Sequence, residues 1–218
     1  MDRAQAISDV EAVFSSYHAV KSSDQQLLTG LSDGKLYEFY VLSELLHDLR
    51  HRGFAISFVG SSLAFKAAPG KIKLTDPHFV LTSPMGSRFW VFVDIEFATL
   101  GANQTAVADY SGHHELDIVV VDTISANPTY GEIALAVECK CHAKFGKQLI
   151  KEALGIRREL SLLHPAQWSR LTQTGATPPV RVKADPPSEF WLAVLDPGGV
   201  QYRQSPAAFG IDLRHIEP

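Results

Sequence analysis

Cysteine is nearly absent from this chain, with two residues, Cys139 and Cys141, among 218. They stand two apart on one strand-like run, so they point the same way and are poorly placed for a mutual disulfide. Both read as reduced, small core residues. Long apolar runs are also lacking, and none approaches the roughly 20 residues that a membrane span needs. The opening Met1-Asp2-Arg3-Ala4-Gln5 has no apolar signal segment. The cytoplasm is therefore the expected compartment, with no membrane partner. An excess of positive charge is missing too: the formal net charge of −4 argues against a strongly basic, nonspecific nucleic-acid binder, although it leaves room for a local basic groove. Phosphate-cradling glycine loops, Rossmann fingerprints and Ser/His/Asp or Cys/His nucleophile signatures are not found. No repeat or low-complexity tract is present.

The material for a core is present, since 45% of residues are hydrophobic, and the length suits one domain with a small extension. Helical spacing of Ile7, Val10, Val13, Phe14 and Tyr17 predicts a helix over 2–20. Ser23 or Asp24 is placed to cap a second helix through Leu31. Ser32-Asp33-Gly34 opens a long helix over about 35–52, stopped by Gly53. A strand over 54–59 follows, then a loop-rich stretch from 60 to 86 marked by Pro and Gly turns. Residues 88–99 read as a strong strand. Its Asp94 and Glu96 share a face, read as solvated, with extra metal-site acids as the alternative. A loop over 101–112 leads to the strand 115–122, and Asn127-Pro128 marks the hairpin loop before the strand 134–140. A helix over 145–163 comes next, then a loop over 165–188, a core strand over 190–195 and an edge strand over 209–216.

The chemistry concentrates between His113 and Lys140. In Ala134-Leu135-Ala136-Val137-Glu138-Cys139-Lys140, a period of two puts Glu138 and Lys140 on one face and Cys139 on the other. Asp117 lies among β-branched residues on the preceding strand, and an antiparallel pair sets Asp117 and Glu138 on adjacent strands. Ionised groups are costly to bury without compensation. Two acids and a lysine drawn together thus suggest a metal and a charged substrate. Mg²⁺ (or Mn²⁺) needs few protein carboxylates and keeps several waters, so Asp117 and Glu138 suffice, with the Cys139 backbone carbonyl as a further ligand.

Asp117 followed by Glu138-Cys139-Lys140 resembles the signature of the PD-(D/E)XK, or restriction-endonuclease-like, nuclease superfamily over roughly residues 34–164. Leu116 stands where that family often has proline. The resemblance implies an α/β fold with a restriction-endonuclease-like core, a central mixed β-sheet flanked by helices, with an N-terminal helical extension over 1–33 and the nuclease-like domain over 34–218. It implies Mg²⁺-dependent endonucleolytic cleavage of DNA, with Asp117 and Glu138 on the metal and Lys140 assisting attack. It further implies a glutamate from the helix before the sheet, for which Glu38 is the candidate; Glu44 is the other acid there, and a solvent-facing helix-start acid is the plain alternative. Gln148 could steady Lys140 or a phosphate, but the Gln-x-x-x-Tyr motif of one subgroup is broken, because Glu152 stands at the tyrosine position. A homodimer is expected for duplex cleavage, with a partner protein of a defence or repair system compatible.

On the helix over 145–163, Lys144, Lys147, Lys151 and Arg158 gather on one side at about 100° per residue, opposite Leu149, Ala153, Ile156, Leu160 and Leu163. The stripe suits phosphates or is a solvated face. A rival grouping of His113, His114, Cys139, Cys141 and His142 offers zinc-ligand types. Alternation turns both cysteines away from His142, however, and no further cysteine pair exists. Two other functions stay open: a catalytically inactive nucleic-acid-binding or assembly module of the same fold, and an RNA-cleaving nuclease.

Overall fold

A computed structural model describes residues 1–17, 22–66, 68–104, 107, 109–160, 162–167, 180–184 and 188–218. Three helices come first: α1 (Arg3–Ser15), α2 (Ser22–Gly30) and α3 (Asp33–His51). Strands β1 (Ala55–Val59), β2 (His78–Thr82), β3 (Arg88–Ala98), β4 (His113–Val121) and β5 (Ile133–Lys140) follow, with the short helix α4 (Leu100–Gln104) between β3 and β4. Then come α5 (Lys147–Glu159), β6 (Leu162–Gln167), β7 (Val180–Ala184), β8 (Glu189–Val194), α6 (Gln204–Ala207) and β9 (Ile211–His215).

The seven-stranded sheet runs in the order β1-β2-β3-β4-β5-β8-β9. Pairing is antiparallel from β1 to β5 and parallel for β5-β8 and β8-β9. The sheet is mixed and open, flanked by helices on both faces. One face packs Val93, Ile118, Val137 and Trp191 with α1, α2 and α3 in a single core. The other packs Phe92, Val119, Ala136 and Leu192 with Ala153 and Leu160 from α5 and its end. The N-terminal helices thus share a core with the sheet, stacking Phe14 at 5.6 Å from Phe79 between ring centroids.

Local chemistry sets the helix ends. Ser32 caps α3 by accepting from the Lys35 N–H. Beyond Arg52, Gly53 takes φ +87°, and the Gly53 and Phe54 N–H groups close back on the Arg50 and Leu49 carbonyls, a Schellman cap that wants glycine. α5 is held to the last strands by Arg157, which is 4% exposed. Its Nε donates to the Phe209 carbonyl at 2.9 Å and its Nη1 to the Ser188 carbonyl and hydroxyl at 3.1 Å. Gly210 has φ +68°, and a Cβ there would meet Arg157 Nη2 at 2.6 Å, so a side chain at 210 would push this arginine aside.

Four expectations change. The stretch 60–86 contains β2, an apolar segment (His78–Thr82) whose pairing with β1 and β3 is tertiary and left no periodic signal of its own. α5 ends at Glu159 rather than at 163, and 162–167 and 180–184 form the antiparallel β6-β7 ribbon where a loop was expected; the rest of that loop, 168–179 and 185–187, lies outside the described residues, as does the end of the helix expected over 2–20. α2 starts at Ser22, so Ser23 and Asp24 lie within its first turn rather than ahead of it; Asp24 is buried and accepts from the Leu63 N–H at 3.0 Å. Asp94 is 4% exposed, not solvated, for a backbone reason that shapes the site.

Candidate active site

β3 and β4 both lose their two-residue alternation at an acid. Val93 faces the α3 side while Ile95 and Phe97 face the α5 side; Leu116 faces the α5 side while Ile118 faces the α3 side. The slip in β3 falls on Asp94, the one non-glycine residue with positive φ (+49°) among the described residues. Pairing resumes in the same register on either side, Val93 with Ile118 and Ile95 with Leu116, so Asp94 stands opposite Asp117. A residue held in this sparsely populated region is a mark of functional sites.

The next strand pair opens at the same level. The β4-β5 ladder ends at Ile118-Val137, one step short of Asp117 and Glu138. Beyond it β4 pairs only with β3, and β5 continues with β8 through Lys140-Val194. The Asp117 carboxylate closes the fork by accepting from the Cys139 N–H at 2.6 Å. The exit from β5 is fixed as well: Leu195 N–H donates to the Lys140 carbonyl at 3.3 Å, and Asp196 accepts from the Phe145 N–H at 2.6 Å.

In the fork lies a cavity of about 230 Å³ lined by His114, Glu115, Asp117, Glu138, Lys140 and Ile156. Asp117, Glu138 and Lys140 are thus brought together. Lys140 Nζ lies 2.9 Å from Glu138 Oε2, with Glu138 deeply buried and Lys140 reaching the mouth, at 5% and 20% side-chain exposure. Burial, then the negative charge of Asp117, push the Glu138 carboxyl up to about 8. Burial also raises Asp117, against the opposing Cys139 N–H bond and Lys140. Glu115 is raised by burial and by Asp117. Burial works to lower the Lys140 ammonium, but Glu138 outweighs it and the net shift is upward.

Glu38 does not line this cavity. It sits on α3, with its carboxyl pushed up to about 7 by burial and by Asp117, against the Lys35 ion pair. Lys35 Nζ lies 2.5 Å from Glu38 Oε2 and also pairs with Asp94 Oδ2. Glu44 is further along α3 and lines a groove with His47, Asp48 and His51 instead. Lys144, Lys147, Gln148, Lys151 and Arg158 are exposed, around the start and along the outer side of α5, while Ile156 is the α5 residue that lines the cavity. Glu152 acts electrostatically on Lys140. Cys139 and Cys141 are free and pack against the α3-side core. His113 and His114 are exposed.

Sequence reading missed Lys35, Glu115 and the burial of Asp94. Only Glu115 carried a usable signal, two residues before Asp117 on the same strand. Among the described residues, no group of three or more His, Cys, Asp or Glu side chains stands ready to hold a metal ion. The buried Glu138 carboxylate, whose proton affinity Asp117 raises, and the half-buried Asp117 carboxylate nevertheless form a donor set suited to Mg²⁺ or Mn²⁺, which accept one or two protein carboxylates with waters completing the shell. No helix among the described residues is long and apolar enough to cross a membrane. No family model, no curated protein and no solved structure matches this chain.

Proposed function

We propose that this protein is a metal-dependent endonuclease of restriction-endonuclease-like core that hydrolyses DNA phosphodiester bonds. The observation that carries this reading is the convergence of Asp117, Glu138 and Lys140 on one cavity at a strand fork. Asp117 and Glu138, with the Cys139 carbonyl, would hold Mg²⁺ or Mn²⁺. Such an ion, when bound, acidifies a water and screens charge on phosphate.

The chain's own groups account for the remaining tasks. Lys140 is fixed by Glu138 at the cavity mouth, where an ammonium can orient a water and neutralise a phosphate oxygen. Its upward shift keeps it charged. Asp117 is oriented by the Cys139 N–H, so its second oxygen can serve as a ligand without a search among rotamers. Glu38, on the α3 side, is the further acid of this reading: it adds negative charge near Asp117 that favours a cation there. Lys144, Lys147, Lys151 and Arg158, with Gln148, offer exposed donors for phosphates on the neighbouring helix. Duplex cleavage would use two such sites, in a homodimer, within a restriction, defence or repair setting that could include a partner protein.

One observation favours a second reading, a non-catalytic nucleic-acid-binding or assembly module of the same fold: Glu138 already holds Lys140 in an ion pair, and no third ligating side chain joins Asp117 and Glu138 among the described residues. The test is nicking of a supercoiled plasmid with Mg²⁺ or Mn²⁺, with and without chelator, beside RNA of matched length. Chelator-sensitive nicking by wild type that disappears in Asp117→Ala supports the nuclease. Binding without cleavage supports the module, and cleavage confined to RNA moves the substrate class.

A further inference from the structure

Behind the cavity, on the α3 side of Asp117, three acids and one lysine meet. Lys35 Nζ joins the Glu38 and Asp94 carboxylates, with side-chain exposures of 14%, 19% and 5% respectively. Asp94 lies opposite Asp117 by register, and Lys35 acts on Asp117 as a positive charge. A carboxylate pair beside a metal-binding aspartate is where a two-metal phosphodiesterase would seat a second ion, about 4 Å from the first.

We propose that Lys35 fills that place, so that the site takes a single divalent cation. This rests on the nuclease reading above and specifies its metal content. The ammonium is compact, positively charged and delivered on a stem anchored in the first turn of α3. It requires no free ion and cannot diffuse away. Charge favours the arrangement. Glu38, Asp94, Glu115, Asp117 and Glu138 facing Lys35 and Lys140 leave a formal excess of three negative charges, which one divalent ion reduces to one. A second ion would have to displace Lys35 from both partners and strand a largely buried ammonium, which is strongly disfavoured. The positive φ at Asp94 fits this assignment, because the slip in β3 leaves its carboxylate with the Lys35 ammonium rather than on a solvated face. Lys35 and Asp94 are then positioning residues, acting through Asp117.

The experiment is Mn²⁺ titration by calorimetry at pH 8.5, read as stoichiometry, with electron paramagnetic resonance to detect a spin-coupled pair. Wild type is expected to bind one ion with no coupled signal. Lys35→Met, which keeps the stem and removes the charge, is expected to bind two, with a coupled signal. Asp94→Asn leaves Lys35 paired with Glu38 and is expected to bind one ion within about threefold of wild-type affinity. Two ions in wild type would overturn the assignment, as would one ion in a folded Lys35→Met. If Lys35→Met does not fold, a loss of tenfold or more in Asp94→Asn affinity would make Asp94 a ligand and overturn it equally. Binding of no ion by either wild type or Lys35→Met would instead remove the nuclease reading itself.

Discussion

The two ends of β5 make a natural comparison. From Ile133 to Val137 the strand is buried apolar sequence, paired with β4 on one side and β8 on the other. At that end a small cavity of about 120 Å³ lies among Leu49, Phe54, Leu81, Phe89 and Leu135, closed at the rim by the exposed Arg52-Glu189 pair. From Glu138 to Lys140 the same strand carries charge into a fork that its partner has left. One end is stabilised by burial and the other is strained by it. The comparison teaches that β5 positions its charged end through its apolar end: the ladder up to Val137 is what fixes Glu138 beside Asp117.

Substitutions at the two ends should therefore separate activity from stability. The largest expected effect is on cleavage: Asp117→Ala or Lys140→Ala lowers plasmid nicking by roughly 1,000-fold or more. The Asp117→Ala melting curve should shift little, because the lost Cys139 N–H bond, about 1 kcal/mol, is offset by relief of a buried charge. Lys140→Ala leaves the buried Glu138 without its ion-pair partner and should melt lower at high pH, where that carboxyl is ionised. Leu135→Ala, three residues from Glu138, should do the reverse. It should cost about 2–4 kcal/mol of unfolding free energy in denaturant titration, and the folded fraction should still cleave.

A pH series sharpens the same contrast. The folded-state Glu138 carboxyl sits at about 8 against an ordinary 4.5. The folded protein therefore holds an extra proton between these values, and stability falls as pH rises through that window. Glu138→Gln should be more stable than wild type by roughly 1–2 kcal/mol at pH 9, with the difference gone below about pH 5. Mn²⁺ affinity of wild type should rise nearly tenfold per pH unit up to about 8 and then level off, since the ion competes with that proton. Equal pH profiles for wild type and Glu138→Gln would end the assignment of this carboxyl.

Smaller effects are expected further out. Lys144→Ala, Lys147→Ala and Lys151→Ala should each weaken DNA binding a few-fold and reduce the log-log salt slope by about 1, with no change in melting. Arg52→Ala at the far rim should alter stability by less than about 1 kcal/mol and leave cleavage untouched.

Much of this geometry was legible in the residues. Glu138 and Lys140 share a side because strands alternate, and the hairpin turn at Asn127-Pro128 puts Asp117 across from them. The long α3 and its glycine stop were equally plain, because caps are local. What the sequence hid was non-local. Asp94 departs from alternation, so a period-two reading assigned it the wrong surroundings. Lys35 meets Asp94 across 59 positions, and no pattern in either segment announces the pair. β2 is a five-residue strand specified by its neighbours rather than by its own period. Arg157 looks like one more member of a basic helix until its buried hydrogen bonds to Ser188 and Phe209 are seen.

Those hydrogen bonds, together with two from α3, bear on how the molecule assembles. Arg157 of α5 grips Phe209, while Tyr37 and Tyr40 of α3 donate to the Ile216 and Glu217 carbonyls at 3.1 Å. One short segment, 209–217, fastens the covers of both sheet faces. On a ribosome neither cover can be locked until that segment has emerged, so the fork would stay loosely roofed until residues 209–217 have left the exit tunnel.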